Sequence, residues 1–255
     1  MSINNDKKEK KRIVFEFPSD LFGKSKKGND NTELMKTIKQ ELKNKEDYKP
    51  ELTVLEKYKL GIELLLSLSV REFEKAKELI KMGANVNAKD EEGNTSIMFA
   101  AQNAPIEILK FLIENDAKIN IRNHEGKTPL ILAATFNKKE ILEFLINNGA
   151  QVDETDYAGE TPLMYAVSFN CPIDVIETLI KKGAHVNDMY SSGLTILMRA
   201  AKYGKNPKII TVLINNGADY KIKSKEGKTA LDYANSNKYL FGTPEYNILK
   251  ELSTK

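Results

Sequence analysis

The chain has 255 residues, 41% of them hydrophobic, and a formal charge of +3 from 39 Lys and Arg against 36 Asp and Glu. That length holds one large domain or two small ones with a sizeable core, and a charge so near neutrality leaves no electrostatic footprint for nucleic acid. A single cysteine, Cys171, excludes an internal disulfide framework and fits a reducing compartment, and no apolar run reaches the roughly 18 residues of a membrane span.

Residues 1–49 come first and differ from the rest. They carry 13 Lys or Arg against 9 Asp or Glu, which leaves 26 against 27 for the remainder. With little apolar surface and no sustained period, the segment cannot offset its ordering entropy. It is expected to be a disordered, mobile basic arm. The start MSINNDKKEKKR leads into IVFEFPSDLF, where Glu16, Pro18 and Asp20 spoil any signal-peptide core. KKEKKR at 7–12 reads as a solvated charge run, with a nuclear import signal as the alternative. The stretch holding Val14, Phe15, Phe17, Leu21 and Phe22 suits docking, either on a partner or on the body of the chain.

Residues 50–89 suggest a degenerate first unit. One helix runs through Leu55, Leu60 and Leu64, with Lys57, Lys59 and Glu63 facing water; a second runs through Phe73, Ala76, Leu79 and Ile80. From residue 90 a fixed period takes over. Gly93, Gly126, Gly159, Gly193 and Gly227 stand 33, 33, 34 and 34 residues apart, and the pairs Gly83-Ala84, Asp116-Ala117, Gly149-Ala150, Gly183-Ala184 and Gly217-Ala218 keep the same intervals. Two registers with matching spacing mark an array.

Within the unit HEGKTPLILAATFNKKEILEFLINNGAQVD, Thr128 supplies a capping hydroxyl and Pro129 occupies N1, where a missing N–H costs nothing. The spacing predicts a short helix over 130–136 with small Ala133 and Ala134, then a turn at Asn137-Lys138. A second helix follows with Ile141, Leu142, Leu145 and Ile146 on one face, ended by Gly149. Units starting near 90, 123, 156 and 190 look complete. Those at 156 and 190 carry one extra residue between their helices, in SFNCPID and KYGKNPK. EGKTALDYA opens a last unit, whose second helix is expected from Pro244 to Leu252 behind Thr243.

This pattern resembles the ankyrin repeat, with its turn glycine, Thr-Pro-Leu-His-type helix start and terminal Gly-Ala, over about residues 60–252. The resemblance implies an all-α solenoid of helix-turn-helix and hairpin-loop repeats. Its domains would be the arm at 1–49, an N-terminal capping repeat at 50–89, repeats at 90–122, 123–155, 156–189 and 190–223, and a C-terminal capping repeat at 224–255. One departure is consistent: Met98, Ile131, Met164, Met198 and Asp232 stand where the family has the histidine. In the family that histidine ties adjacent loops together, so its loss leaves the stiffness of the loops open.

Catalytic chemistry finds little support. On the stack, His124 would sit on a turn tip and Cys171 beyond the far end of an inner helix, roughly 13 Å away along the axis. His185 would follow an outer helix, so no Cys–His pair forms. One Cys and two scattered His give no zinc spacing. EEGNT, HEGKT and KEGKT each hold one glycine and lack a phosphate-loop pattern. No catalytic, cofactor or metal residues are therefore assigned.

What remains is surface. The resemblance implies that partners are gripped by turn tips and inner helices. Ten residues past three successive turn glycines stand Phe136, Phe169 and Tyr203. They read as a contact ladder or as peripheral core packed on neighbouring helices. Tyr157, Leu194 and His124 on the tips, with Lys127 and Lys202 beside the row, complete the candidate partner-binding set. The expected function is a monomeric, non-enzymatic, cytoplasmic module that binds a protein partner, with no nucleic acid, membrane or cofactor. The alternative is an inhibitor, immunity factor or secreted effector that blocks one enzyme. Because the arm carries no repeat signal, deleting residues 1–45 should leave the melting temperature nearly unchanged. A drop of many degrees in a thermal scan would mean that the arm is docked.

Overall fold

The structure, a computed structural model, describes residues 52–136 and 138–254. The expected arm at 1–49 and Asn137 of the expected turn lie outside the described residues. Among them the helices are α1 (Val54–Ser69), α2 (Phe73–Lys81), α3 (Ser96–Asn103), α4 (Ile106–Glu114), α5 (Pro129–Thr135) and α6 (Lys139–Asn147). There follow α7 (Pro162–Ser168), α8 (Ile173–Lys181), α9 (Ile196–Tyr203), α10 (Lys208–Asn215), α11 (Ala230–Ala234) and α12 (Pro244–Ser253). Beyond the helices, a lone antiparallel bridge joins Met189 and Thr195.

Odd-numbered helices pack on one another in chain order and form the inner layer. Even-numbered helices form the outer layer, each packed also on its own inner helix. The starts follow from the threonines. Thr128, Thr161, Thr195, Thr229 and Thr243 each accept from the backbone N–H three residues on, and Pro129, Pro162 and Pro244 follow three of them. Thr95 is the exception: its hydroxyl is buried without a partner. The outer helices end where the chain must turn left-handed. Gly149 has φ +96°, and at the matching place in the preceding unit Asp116 holds φ +66°, a conformation that a short polar side chain tolerates. The extra residue between helices appears as the longer connections 169–172 and 204–207, with Asn170 at φ +52°.

The core is the seam between layers. Leu130, Ile131, Ala133 and Ala134 on α5 and Leu142 and Leu145 on α6 are all at most 1% exposed. The alanines let α3 and α7 approach α5 from either side. Met98, Ile131, Met164 and Met198, the residues in the histidine position, are also at most 1% exposed and extend this core.

Two sets of hydrogen bonds register the units. Asn87, Asn120 and Asn187, at one place in successive turns, each donate Nδ2–H to a carbonyl of the next unit (Asp116, Gly149 and Gly217, all at 2.9 Å). The same side chains accept from the N–H of Lys118, Gln151 and Asp219. The fourth rung is Asp153, which accepts from His185 N–H at 3.1 Å and pairs with the His185 ring at 3.0 Å. At the tips, His124 N–H donates to Glu92 O at 2.8 Å and Tyr157 N–H to Glu125 O at 3.1 Å. Backbone pairing thus links these loops where the family's histidine is missing.

Two expectations for the first unit need correction. Leu55 is 39% exposed at the start of α1, a turn before the buried stripe of Leu60, Leu64 and Leu68 begins. Glu63 does not face open water but is half-buried and paired with Lys75 at 3.0 Å.

Leu145 is fully buried between α6 and its neighbours. Leu145→Ala should cost about 2–5 kcal/mol, with hydrogen-exchange protection lost first in the units at 90–122, 123–155 and 156–189. Unchanged exchange in those units would contradict this placement.

Candidate interaction face

The inner helices carry the row that the spacing suggested. Phe136 and Phe169 cap the C-termini of α5 and α7, and Tyr203 is the last residue of α9. Their exposures are 46%, 58% and 52%, too high for core side chains. Phe169 is backed by Tyr165, with ring centroids 6.1 Å apart and planes 6° from parallel. On the tips, Tyr157 is 72% exposed. Its ring and backbone lie so close over Gly126 that a Cβ there would meet Tyr157 N at 2.6 Å; the positive φ of +80° at Gly126 adds to the requirement for glycine. His124 crosses Gly93 in the same manner and is otherwise exposed.

Leu194 does not extend this surface as expected. It is 5% exposed, an apolar side chain packed inward at the position where the other hairpins carry Asn94, Lys127, Glu160 and Lys228. It lines the floor of a cleft instead.

Cations interleave with the rings. Lys127 pairs with Glu125 and lies 5.5 Å from the Tyr165 centroid. Lys202 is 5.1 Å from the Tyr203 centroid and 5.0 Å from that of Tyr233. Arg199 is 5.1 Å from Tyr190 and 5.0 Å from Tyr203. Such contacts hold a long side chain in place and keep its charge near the surface. Tyr165 O–H donates to Asp156 at 2.8 Å; burial and that carboxylate push its phenol well above the ordinary range. Burial first, and then the Asp156 charge, raise the Glu160 carboxyl, against the pull of Arg199 and Lys127. The face is thus aromatic, with fixed cations and partly desolvated acids.

Sequence reasoning missed Tyr165, Arg199 and Tyr233. The signal was available in the same period, six residues past Gly159, Gly193 and Gly227, where an inner helix sets a second large side chain beside the hairpin. Tyr190 was hidden for another reason. It stands where other hairpins carry Asn123, Asp156 or Ser224, whose side chains accept from their own loop's N–H groups. Tyr190 instead reaches across to donate to Met164 O at 2.9 Å.

The remaining chemistry-bearing residues are dispersed, with one grouping. Cys171 belongs to the α7–α8 turn, as expected, and is fully buried there, its thiol donating to Ala134 O at 3.2 Å. Asp153, His185 and Asp188 each bring one ligand atom within 4.8 Å of the others, a closeness that sequence spacing did not reveal. Here the aspartate and histidine complete the rung between two units.

Comparison with known proteins agrees with this architecture. Family models described as ankyrin repeats match residues 29–123 and 106–190 (three copies) and 179–234 (many copies). The first match starts ahead of the boundary expected at residue 50. A chain in the structure of a predatory endopeptidase from Bdellovibrio bacteriovorus in complex with an immunity protein is 32% identical, with a TM-score of 0.63. The alignment covers 74% of this chain and 96% of that one. A crystal structure of an ankyrin repeat protein is 30% identical with a TM-score of 0.64 and the same coverages, 74% and 96%. None of the curated proteins matches the chain. Among the described residues, no helix is long and apolar enough to cross a membrane.

Burial pushes the Cys171 thiol up to about 11, which leaves little thiolate at neutral pH. Native protein should therefore resist iodoacetamide at pH 8 while the urea-unfolded chain reacts at once, as intact mass will report. Rapid alkylation of the folded protein would place Cys171 at the surface.

Proposed function

Because the chain belongs to the ankyrin repeat family, whose stacks are protein–protein interaction modules, we propose that it captures a protein partner on the inner-helix face and its turn tips, without catalysis. The observation that carries this reading is the row of Phe136, Phe169 and Tyr203, each about half exposed, one per unit. Units stacked about 10 Å apart spread such a row over about 20 Å. Contiguous surface aromatics mark binding sites, and their rings bury large area with little entropy to lose. Tyr157, Lys127, Lys202 and His124 frame the row, and Leu194 lies beneath it.

A second reading has its own support. The similar chain from the endopeptidase–immunity protein complex favours a partner that is itself an enzyme, blocked by the bound stack. The scaffold alone does not choose between the two, since one fold serves many ends.

Affinity capture from the native organism with the full chain as bait is the test. The Phe136→Ala, Phe169→Ala double variant should lose the partner, since truncating a binding hot spot costs about 2 kcal/mol or more, while its circular dichroism and melting temperature stay near those of the parent. A folded double variant that captures the partner unimpaired would remove the row from the site. If the captured protein is an enzyme, an assay of its activity with added stack separates blocking from mere binding.

A further inference from the structure

The structure describes three arginines, and two of them find acceptors. Arg122 bonds Glu154 at 2.7 Å and backbone carbonyls around it; Arg71 bonds Asn103 Oδ1 at 3.2 Å. The side chain of Arg199 makes no hydrogen bond and no ion pair among the described residues, and its Nε is sealed from solvent without a partner. It is held against the rings of Tyr190 and Tyr203 instead. With its Nε sealed and its plane held against two rings, this guanidinium keeps its remaining donors for something else. A partly buried cation normally acquires a partner, because leaving it without one is costly.

Around it lies a cleft of about 160 Å³ between α9 and α11, lined also by Lys202, Lys225, Tyr203 and Tyr233. Lys202 lies against the two rings, and its nearness to Tyr203 favours its charged form. Lys225 drapes its stem over Gly193, where a Cβ would meet its Cγ at 2.7 Å, and donates to Ser191 O at 3.3 Å. The one acid lining the cleft, Glu226, is engaged at 2.8 Å by Lys228, which lies outside the lining. Three cations are thus gathered here, and among the described residues none of the three forms an ion pair; Glu160 acts on Arg199 and Glu226 on Lys202 only at longer range.

Building on the interaction-face reading above, we propose that this cleft receives a side-chain carboxylate of the protein partner, with Arg199 as the bidentate donor and Lys202 as the second charge. A planar guanidinium matches the two oxygens of a carboxylate, and ring stacking pre-pays its ordering. The volume suits one Asp or Glu side chain. A phosphoryl group brings nearly two negative charges toward Glu226, whereas a carboxylate brings one. Tyr203 belongs both to the cleft and to the aromatic row. A partner segment that lays apolar residues along Phe136 and Phe169 therefore delivers an acidic residue here. The cleft fixes the register of that segment, because an acidic side chain elsewhere along the row finds no unpaired arginine.

The test is direct. The chain has four arginines, at 12, 71, 122 and 199, so the Nε–Hε region of a proton–nitrogen correlation spectrum is sparse enough to follow Arg199 alone. The full-length protein is titrated with a capped tri-glutamate peptide, a capped tri-glutamine peptide and inorganic phosphate. Arg199 should shift saturably with the glutamate peptide and not with the glutamine one. Arg199→Gln should weaken the glutamate peptide by about tenfold or more, with an unchanged circular dichroism spectrum, and should weaken partner capture as well. No shift, an equal shift with glutamine, or tighter binding of phosphate would overturn the proposal, as would full partner capture by Arg199→Gln. Phe136→Ala should leave peptide affinity intact. Failure of the aromatic row and failure of the cleft are therefore read separately.

Discussion

Everything in this molecule depends on the fact that no single unit can bury its own apolar face. A pair of helices of seven to nine residues, such as α5 and α6, leaves Leu130, Leu142 and Leu145 exposed unless neighbours cover them. Stacking supplies that cover from both sides, so the stability of each unit is shared with the next. The inner helices feel this most. α5 is buried at Pro129 through Ala134, which is why its sequence is nearly all apolar and small instead of striped. Only where an inner helix ends does the chain regain freedom to expose a large side chain, and that is where Phe136, Phe169 and Tyr203 stand.

The same stacking demands register, and register comes from polar groups at the turns. Asn87, Asn120 and Asn187 each bridge to the next unit by donating and accepting at once. An amide can do both; a carboxylate cannot. Asp153 therefore gives one rung a different character, accepting from the His185 backbone and pairing with its ring. The hairpin tips add backbone bonds of their own. In this chain the histidine position is Met or Ile in four units, where it deepens the core at the common seam, and Asp232 in the last, where it caps α11, while loop cohesion rests on these bonds.

The face that results is chemically uneven along the stack. Toward α5 and α7 it presents Phe136, Phe169 and Tyr157, with Lys127 already paired to Glu125. Toward α9 and α11 the rings become platforms for Arg199 and Lys202, which form no ion pair among the described residues. Under the proposed function, a surface of this kind reads an extended partner by position: apolar contact at one end, charge at the other. Tyr190 makes the difference possible. By reaching across to Met164 and Ser168, it vacates the usual hairpin role and becomes a ring against which Arg199 lies.

The sequence by itself determined the solenoid: two glycine registers spaced 33 and 34 residues apart, threonine caps and a final helix starting at Pro244. These are local signals, repeated along the chain, and repetition multiplies a weak signal into a firm one. The sequence also placed Phe136, Phe169 and Tyr203 in one row, since the period alone aligns them. Tertiary structure alone decided which tip residues stay outside. Leu194 looked like surface by position, but its side chain is buried and lines the cleft. Tertiary structure also decided which charges are free. Arg199, Arg122 and Arg71 are the same residue in sequence, and only the packed stack brings Glu154 to Arg122, Asn103 to Arg71 and the Tyr190 ring to Arg199. The Arg71–Asn103 and Arg122–Glu154 pairings each join residues 32 positions apart. Pattern fixes the fold from local spacing, while the electrostatics of a site belong to distances that exist only after folding.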